Sequence, residues 1–72
     1  SAVRDVRSLL ATLTPREHEV LQEIVAGRLN KQIAHRLGAA EKTIKVHRGR
    51  VMQKMGVRSV AELVTLMARL RE

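Results

Sequence analysis

Apolar positions in this chain recur at spacings of three and four residues, the period of an α-helix that buries one side. The pattern runs through four segments, each bounded by residues that start or end helices. No stretch shows the alternation of apolar and polar residues that is typical of a strand. The sequence therefore predicts an all-α fold, and its 72 residues allow one small domain.

The first of these four helices starts at a capping motif. Thr14 can cap it, Pro15 suits its first position, and Glu17 completes a capping box. Gly27 can adopt the left-handed backbone that ends a helix, which gives a length of about three turns. Its predicted buried stripe consists of Val20, Leu21, Ile24 and Val25.

Two further helices follow, joined by a tight turn. Asn30 can cap the first of them and Gly38 can end it, and the second is expected over residues 41–55 with Gly56 closing it. Such a pair is typical of a unit that binds DNA. The predicted core positions are Ile33, Ala34 and Leu37 in the first helix and Ile44, Val51 and Met55 in the second.

Both ends of the chain follow the helical period as well. Ser59 and Glu62 predict a second capping box, at the start of a last helix. Upstream, residues 3–12 have apolar side chains at helical spacing but no capping residue. We therefore expect an N-terminal linker or helix in residues 1–12 and a four-helix domain in residues 13–72. The apolar residues of the last helix are Val60, Leu63, Val64, Leu66, Met67 and Leu70.

The charge of the chain is concentrated in one stretch. Residues 31–58 carry eight basic side chains against a single acid, Glu41, so the whole net charge of +7 lies there. A localised basic footprint on an otherwise neutral domain favours a polyanionic partner. The eight basic residues are Lys31, Arg36, Lys42, Lys45, Arg48, Arg50, Lys54 and Arg58.

Composition narrows the choice of polyanion and of compartment. The chain has no Phe, Tyr or Trp, the side chains on which single-stranded nucleic acids stack, so double-stranded DNA is the better partner. The absence of Cys fits a reducing cytoplasm. With no signal-peptide pattern, and no apolar run near the roughly 20 residues that span a bilayer, we expect a cytoplasmic protein without a membrane partner.

One side of the predicted third helix is suited to reading bases. At about 100° per residue, Val51 and Met55 fall within about 20° of Ile44, so the opposite side faces outward. Lys and Arg can donate to guanine in the major groove, and Val46 can touch a thymine methyl. These could be ordinary solvated positions, but Val46 has no core to join and few acids balance the charge. The outward half holds Lys42, Lys45, Val46, Gly49, Arg50 and Gln53.

Polar residues beside this face are predicted to bind phosphates and to set the register without reading sequence. For His47, a half-buried histidine hydrogen-bonded inside the domain is an equal alternative. His18 and His35 have no partner at metal-ligand spacing, so no metal site and no cofactor are expected. The predicted phosphate contacts are Asn30, Lys31, Thr43, His47, Arg48 and Lys54.

The segments LTPREHEVLQEIVAG, NKQIAHRLG, KTIKVHRGRVMQKM and RSVAELV resemble, in this order, the LuxR-type DNA-binding domain of bacterial response regulators. The resemblance covers about residues 12–70. The string from Val46 to Met55 is most similar to the FixJ branch of the NarL/FixJ family. This resemblance implies a third helix in the major groove, dimerisation through the fourth, and control by a phosphorylated receiver domain. It places base contacts at Lys45, Val46 and Gly49 and backbone contacts at Thr43, Arg48 and Lys54.

Three departures from the family pattern limit what the resemblance implies. Ala40 stands where a Ser commonly caps the recognition helix, and Ala39 replaces a larger aliphatic residue. Arg50 stands where Asn is frequent, so the target sequence of the family does not carry over. The only Asp is Asp5, which places any receiver domain outside this chain.

Two other functions compete with DNA binding. A protein-interaction module, such as a sigma-factor-like domain that docks on RNA polymerase, needs an exposed apolar patch, and the last helix has an apolar arc wider than one core contact uses. Dimerisation through Val64, Leu66 and Met67 explains that excess more economically. An enzyme is disfavoured because Glu41 and Glu62 are better explained as helix-start residues, and no nucleophile has a base at motif spacing.

Overall fold

The structure is a computed structural model that describes residues 2–71. Within that range the chain is all-helical, as the sequence predicts, and contains no strand. A short 3₁₀ turn, Arg69–Arg71, follows the last helix. In chain order the α-helices are α1 (Ala2–Leu10), α2 (Pro15–Val25), α3 (Asn30–Leu37), α4 (Glu41–Met55) and α5 (Val60–Ala68).

The capping box at the start of α2 is confirmed. The Thr14 hydroxyl accepts a hydrogen bond from the Glu17 backbone N–H at 3.2 Å, and the Glu17 carboxylate accepts one from the Thr14 N–H at 2.9 Å. The predicted glycine ends of α2, α3 and α4 are confirmed as well, since Gly27, Gly38 and Gly56 have φ values of 87°, 65° and 69°.

The predicted cap of α3 is wrong by one residue. Leu29 is the N-cap, and its backbone N–H donates to Gln32 Oε1 at 2.8 Å. Gln32 thus supplies the reciprocal half of a capping box, whereas Leu29 has no side-chain oxygen to accept from the first N–H groups of the helix. Asn30 is the first helical residue, and its Oδ1 instead accepts a hydrogen bond from Arg48 Nη1 at 3.3 Å.

The capping box predicted for α5 is only half present. Ser59 caps the helix by accepting a hydrogen bond from the Glu62 N–H at 3.1 Å. The Glu62 carboxylate, however, accepts from the backbone N–H of Arg58 at 2.8 Å. The partner of Glu62 is thus the N–H of the residue before the N-cap, so the predicted reciprocal half of the box is wrong.

The N-terminal segment is helical from residue 2 to residue 10, slightly shorter at its end than the predicted range of 3–12. Val6 is fully buried, and α1 contacts both α4 and the 3₁₀ turn. Leu9 and Leu10 pack against the core as well. The helix that the sequence treats as a linker therefore lies on the body of the domain.

The core forms where α2 and α3 meet the inner side of α4 and where α5 meets α2. The predicted stripes are confirmed, although Val25 and Leu37 are only partly buried at the edge of the core. Among the described helices, none combines the length and apolar character needed to cross a membrane. The core cluster consists of Leu13, Val20, Leu21, Ile24, Ile33, Ala34, Ile44, Val51, Met55 and Leu63.

Candidate nucleic-acid interface

The two sides of α4 have opposite environments. Ile44, Val51 and Met55 are buried with at most 1% exposure, which anchors the helix on α2 and α3. Val46 is 49% exposed although it is apolar. The predicted direction of the outward face is therefore confirmed, while the base-contact roles of its residues stay predictions. The exposed residues on this side are Lys42, Lys45, Val46, Gly49, Arg50 and Gln53.

Gly49 lies inside α4, and packing within the domain does not require a glycine there. A Cβ built at this position would meet nothing within 4 Å. Glycine in a helix interior costs about 0.5–1 kcal/mol relative to alanine, so the fold alone would favour alanine. A glycine here leaves the outward backbone of the helix open to close approach by another molecule.

The start of α4 faces solvent with its backbone N–H groups unprotected by a side chain. Ala40 is the N-cap and makes no side-chain hydrogen bond. Lys42 and Thr43, in the first turn, are both exposed. The first N–H groups of a helix lack partners within it and carry partial positive charge. This end of α4 therefore adds to the positive potential of the outward face.

A hydrogen bond joins α3 to α4 at the edge of this face. Arg48 Nη1 donates to Asn30 Oδ1 at 3.3 Å, and both side chains are half-buried. A guanidinium has five N–H donors, so Arg48 has donors left for an external acceptor. Lys31, the next residue of α3, is exposed. Three of the predicted phosphate contacts, Asn30, Lys31 and Arg48, thus lie together where α3 meets α4.

Lys54 has an internal partner that the sequence reasoning missed. Its Nζ lies 2.7 Å from Glu17 Oε1 and 3.2 Å from the Thr12 carbonyl oxygen. Glu17 is 2% exposed, and the hydrogen bond from Lys54 is the main reason that its pKa is lowered. Lys54 therefore neutralises a buried carboxylate of α2. This geometry disfavours the predicted contact of Lys54 with phosphate, which stays a prediction.

A second carboxylate of α2, Glu23, holds two arginines. Its Oε1 accepts from Arg36 Nε at 2.6 Å and its Oε2 accepts from Arg28 Nη1 at 2.9 Å. Glu23 is 8% exposed, and its pKa is lowered chiefly by the hydrogen bond from Arg36. Arg36 and Lys54 belong to the basic stretch 31–58, so part of that charge is neutralised within the fold.

Two of the eight cations in the basic stretch are therefore paired inside the fold, and the other six can carry the predicted contact with a polyanion. The charge count treated residues 1–30 as self-balanced, but Glu17 and Glu23 pair across helices with the basic stretch. Six cations of the stretch have no carboxylate partner in the described part of the chain. They are Lys31, Lys42, Lys45, Arg48, Arg50 and Arg58.

His47 is half-buried on the flank of α4. Its Nδ1 is buried and has no hydrogen-bond partner among residues 2–71. The alternative of a half-buried histidine is thus correct about burial, but its internal hydrogen bond is not found at Nδ1. The predicted contact of His47 with phosphate stays a prediction. In the same range, no three His, Asp or Glu side chains come together as a metal site would require.

The last helix exposes apolar surface on one edge. Leu63 is fully buried, whereas Val64 is 42% exposed and Met67 is half-buried. A groove of about 250 Å³ runs along this edge, lined by Val25, Val64, Met67, Ala68, Leu70 and Arg71.

The opposite edge of α5 carries a second groove, of about 370 Å³. Leu66 lines it together with Val57, Ala61 and three polar side chains, and packs against the core. Val64 and Leu66, both predicted for the dimer interface, therefore lie on different edges, and the more apolar one belongs to Val64.

A helix pair with a buried inner side and a basic outward second helix defines a helix-turn-helix domain of the DNA-binding type. Residues 11–67 match the family described as bacterial regulatory proteins, luxR family. This chain belongs to that family. The resemblance found in the sequence, including its FixJ-like branch, is thereby confirmed.

Individual relatives agree with the family. The chain is 47% identical over 64 residues to nodulation protein W of Bradyrhizobium diazoefficiens, covering 89% of this chain and 28% of that protein. It is 45% identical over 62 residues to the transcriptional regulatory protein FixJ of Rhizobium meliloti, covering 86% of this chain and 30% of that protein. The chain thus spans less than a third of the length of these relatives.

Solved structures place the fold in the same group. The response regulator StyR superposes with a TM-score of 0.86 at 52% identity, covering 89% of this chain and 32% of that one. Full-length FixJ from B. japonicum gives a TM-score of 0.90 at 38% identity, covering 97% of this chain and 34% of that one. The predicted fold class, a LuxR-type helix-turn-helix domain with an added N-terminal helix, is therefore confirmed.

Proposed function

We propose that this chain is the output domain of a bacterial transcriptional response regulator, and that it binds double-stranded DNA in a sequence-specific manner. The observation that carries the proposal is the outward side of α4. It combines cations that have no internal partner with an exposed Val46 and a glycine that the fold does not require. A solvated helix face would need neither of the last two features.

In this proposal α4 lies in the major groove and its outward side chains contact base edges. Lys45, with Lys42 and Arg50, would donate hydrogen bonds to guanine O6 and N7, and Val46 would pack on a thymine methyl. Gly49 would allow the helix backbone to approach the base pairs. The exposure of all five residues supports these roles.

The flanking residues would hold the phosphate backbone on either side of the groove. Arg48, Asn30 and Lys31 form one group at the junction of α3 with α4, which supports a shared contact. Thr43 lies in the exposed first turn of α4, and His47 is half-buried beside it. Lys54 is the weakest member of the predicted set because its ammonium already binds Glu17.

We further propose that two copies of the domain associate on DNA through α5. The exposed Val64 and the groove beside Met67 support this, because an apolar edge of this kind is not needed for the core of one copy. Leu66 was also predicted for the interface; like Met67 it packs partly against the core, but it lies on the other edge of α5. A symmetric pair of domains would read two half-sites.

The remaining parts of the proposal concern the longer protein. The relatives extend well beyond the matched segment, which supports a receiver domain elsewhere in the full chain that controls this one. We expect the regulator to act in the cytoplasm and to contact RNA polymerase, without enzymatic activity of its own.

The function is tested by selecting duplexes from a random pool and measuring binding of an enriched duplex at several salt concentrations. We expect one sequence motif to be enriched. Six cations of the basic stretch pair with no carboxylate of residues 2–71, so about five or six phosphates should be neutralised, and log K should fall against log salt with a slope of about −0.9 per phosphate. An affinity that barely changes with salt, or a pool without enrichment, would contradict the proposal.

A further inference from the structure

A cationic cleft lies on the outer side of α3, apart from the outward face of α4. It encloses about 500 Å³ and is lined by Arg28, Lys31, Gln32, His35 and Arg36. The carboxylate of Glu23 accepts hydrogen bonds from Arg28 and Arg36, at 2.9 and 2.6 Å. This nearly buried carboxylate holds the two guanidiniums in place, and each of them has N–H donors left over. The cleft thus presents preformed hydrogen-bond donors to carboxylate or phosphate oxygens.

The direction of the cleft separates it from the proposed DNA contacts. Asn30 of α3 is hydrogen-bonded to Arg48 of α4, whereas Arg36 of α3 pairs with Glu23 of α2. At about 100° per residue, Arg36 lies about 120° around α3 from Asn30. A duplex held by α4 therefore leaves the Arg36 side of the cleft open, and only Lys31 stands at the edge shared with the DNA contacts.

An apolar side chain beside the cleft favours a protein over a phosphate backbone as its partner. Leu29 is 70% exposed, more than either of the other two exposed large hydrophobic residues, Val46 and Val64. As the N-cap of α3 it makes no side-chain hydrogen bond, so the fold does not require leucine here. The sugar-phosphate backbone of DNA offers little apolar surface to such a side chain, whereas the centres of protein interfaces combine arginine with apolar residues.

We propose that Arg28, Leu29, His35 and Arg36 form a docking surface for a protein segment that carries carboxylates next to an apolar side chain. Arg28 and Arg36 bind the carboxylates, and Leu29 covers the apolar side chain. The surface goes beyond DNA binding, since it remains open while α4 occupies the groove. Its use for contacting the transcription machinery rests on the function proposed above, but the docking itself does not.

The test uses the isotope-labelled domain saturated with its selected duplex, so that the face of α4 is occupied. The probes are a short peptide of alternating Glu and Leu and an all-Glu peptide of the same length. Binding of each peptide is measured from the amide chemical shifts of the domain. We expect the Glu/Leu peptide to shift the amides of Leu29, Gln32 and His35. We expect it to bind about tenfold more tightly than the all-Glu peptide, as burial of leucine surface requires.

Three variants assign the effect to the surface. Arg36→Gln leaves Glu23 paired with Arg28 and should weaken peptide binding by up to about fivefold, the range of one exposed ion pair, while Arg36→Lys restores most of it. Leu29→Ser places a better capping residue at the start of α3, so a weaker peptide complex cannot be assigned to unfolding. Thermal unfolding of all three variants checks their folds.

Two results would overturn the docking surface. In the first, Arg36→Gln and Leu29→Ser bind the Glu/Leu peptide as the unmodified domain does. The second result is evidence that the cleft contacts phosphate. Either the duplex alone shifts the amides of Leu29 and His35 and blocks the peptide, or Arg36→Gln weakens DNA binding. Because the duplex affinity is measured in the same samples, this failure stays distinct from a failure of DNA binding by α4.

Discussion

Lys45 and Lys54 are the same residue type on the same helix, yet they have different environments. Lys45 is exposed on the outward side of α4 and pairs with no carboxylate of residues 2–71. Lys54 is directed at Glu17 of α2 and the Thr12 carbonyl. A count of charges along the sequence treats the two alike. The packing of α4 against α2 decides which lysine stabilises the fold and which one is available to DNA.

The largest effect on stability is expected from Lys54→Ala. This change leaves the carboxylate of Glu17, 2% exposed, without its cation, and removing one partner of a buried pair is strongly destabilising. The matched control, Lys42→Ala, alters an exposed lysine of the same helix and should lie within about 0.5 kcal/mol of the unmodified domain. Urea unfolding measures the stability of both variants. Equal midpoints would show that Lys54 contributes no more to the fold than the exposed Lys42.

Acid should remove the stability that the Lys54–Glu17 and Arg36–Glu23 ion pairs supply. The pKa of Glu17 and that of Glu23 are held below the ordinary value of 4.5 by Lys54 and Arg36, because hydrogen bonds favour the charged carboxylates. Their contribution is therefore complete above pH 4.5, where the unfolded chain is also deprotonated, and is lost as the pH falls through the lowered values of the folded state.

Urea midpoints measured from pH 7 down to pH 3 check this dependence. The double variant Glu17→Gln, Glu23→Gln should be less stable at pH 7 and lose less stability on acidification. Glu19→Gln, an exposed carboxylate of the same helix, serves as the control and should retain most of the decrease. A double variant with the full acid dependence would show that these pairs contribute nothing.

On the outward side, Gly49→Ala should separate stability from binding. The new methyl group meets nothing within 4 Å, so the domain should gain about 0.5–1 kcal/mol of stability. DNA binding should weaken if the helix backbone approaches the base pairs, because the methyl group would stand in the groove. Unfolding and fluorescence anisotropy measure the two effects. A variant that is more stable and binds DNA as before would show that the helix backbone at residue 49 does not closely approach the base pairs.

The contrast between covered and open side chains extends to α5. Val64→Glu alters a side chain that is 42% exposed and should leave the fold intact while reducing cooperative binding to an operator with two half-sites. Leu66→Glu alters a side chain packed against the core and should chiefly destabilise the domain. Unchanged cooperativity in a folded Val64→Glu domain would exclude the Val64 edge as the dimer interface.

Helical spacing was sufficient to predict the fold because the core is made by one stripe from each helix. Capping was less predictable, since the N-cap of α3 depends on Gln32 reaching back to Leu29, and Glu62 bonds to Arg58 in place of Ser59. Such exchanges involve neighbouring backbone groups of similar energy, and a sequence motif does not distinguish between them.

The direction of the α4 face was predictable for the same reason as the core, but the internal ion pairs were not. Lys54 and Glu17 are 37 residues apart in sequence, and Arg36 and Glu23 are 13 apart. One signal was present: Glu17 stands three residues before Val20 and four before Leu21, on the stripe that α2 buries. An acid on a buried stripe needs a cation, and the nearby helix with surplus cations was α4.

The central claim is that outward residues of α4 read bases while residues at the α3 junction hold phosphates. Competition binding of Lys45→Ala and Lys31→Ala, with matched specific and scrambled duplexes and circular dichroism to confirm folding, tests it most directly. Lys45→Ala should cost about 1–3 kcal/mol on the specific duplex and less on the scrambled one, whereas Lys31→Ala should weaken both about equally. If Lys45→Ala lowers both affinities in parallel, Lys45 binds phosphate, and the face assigned to base reading is wrong.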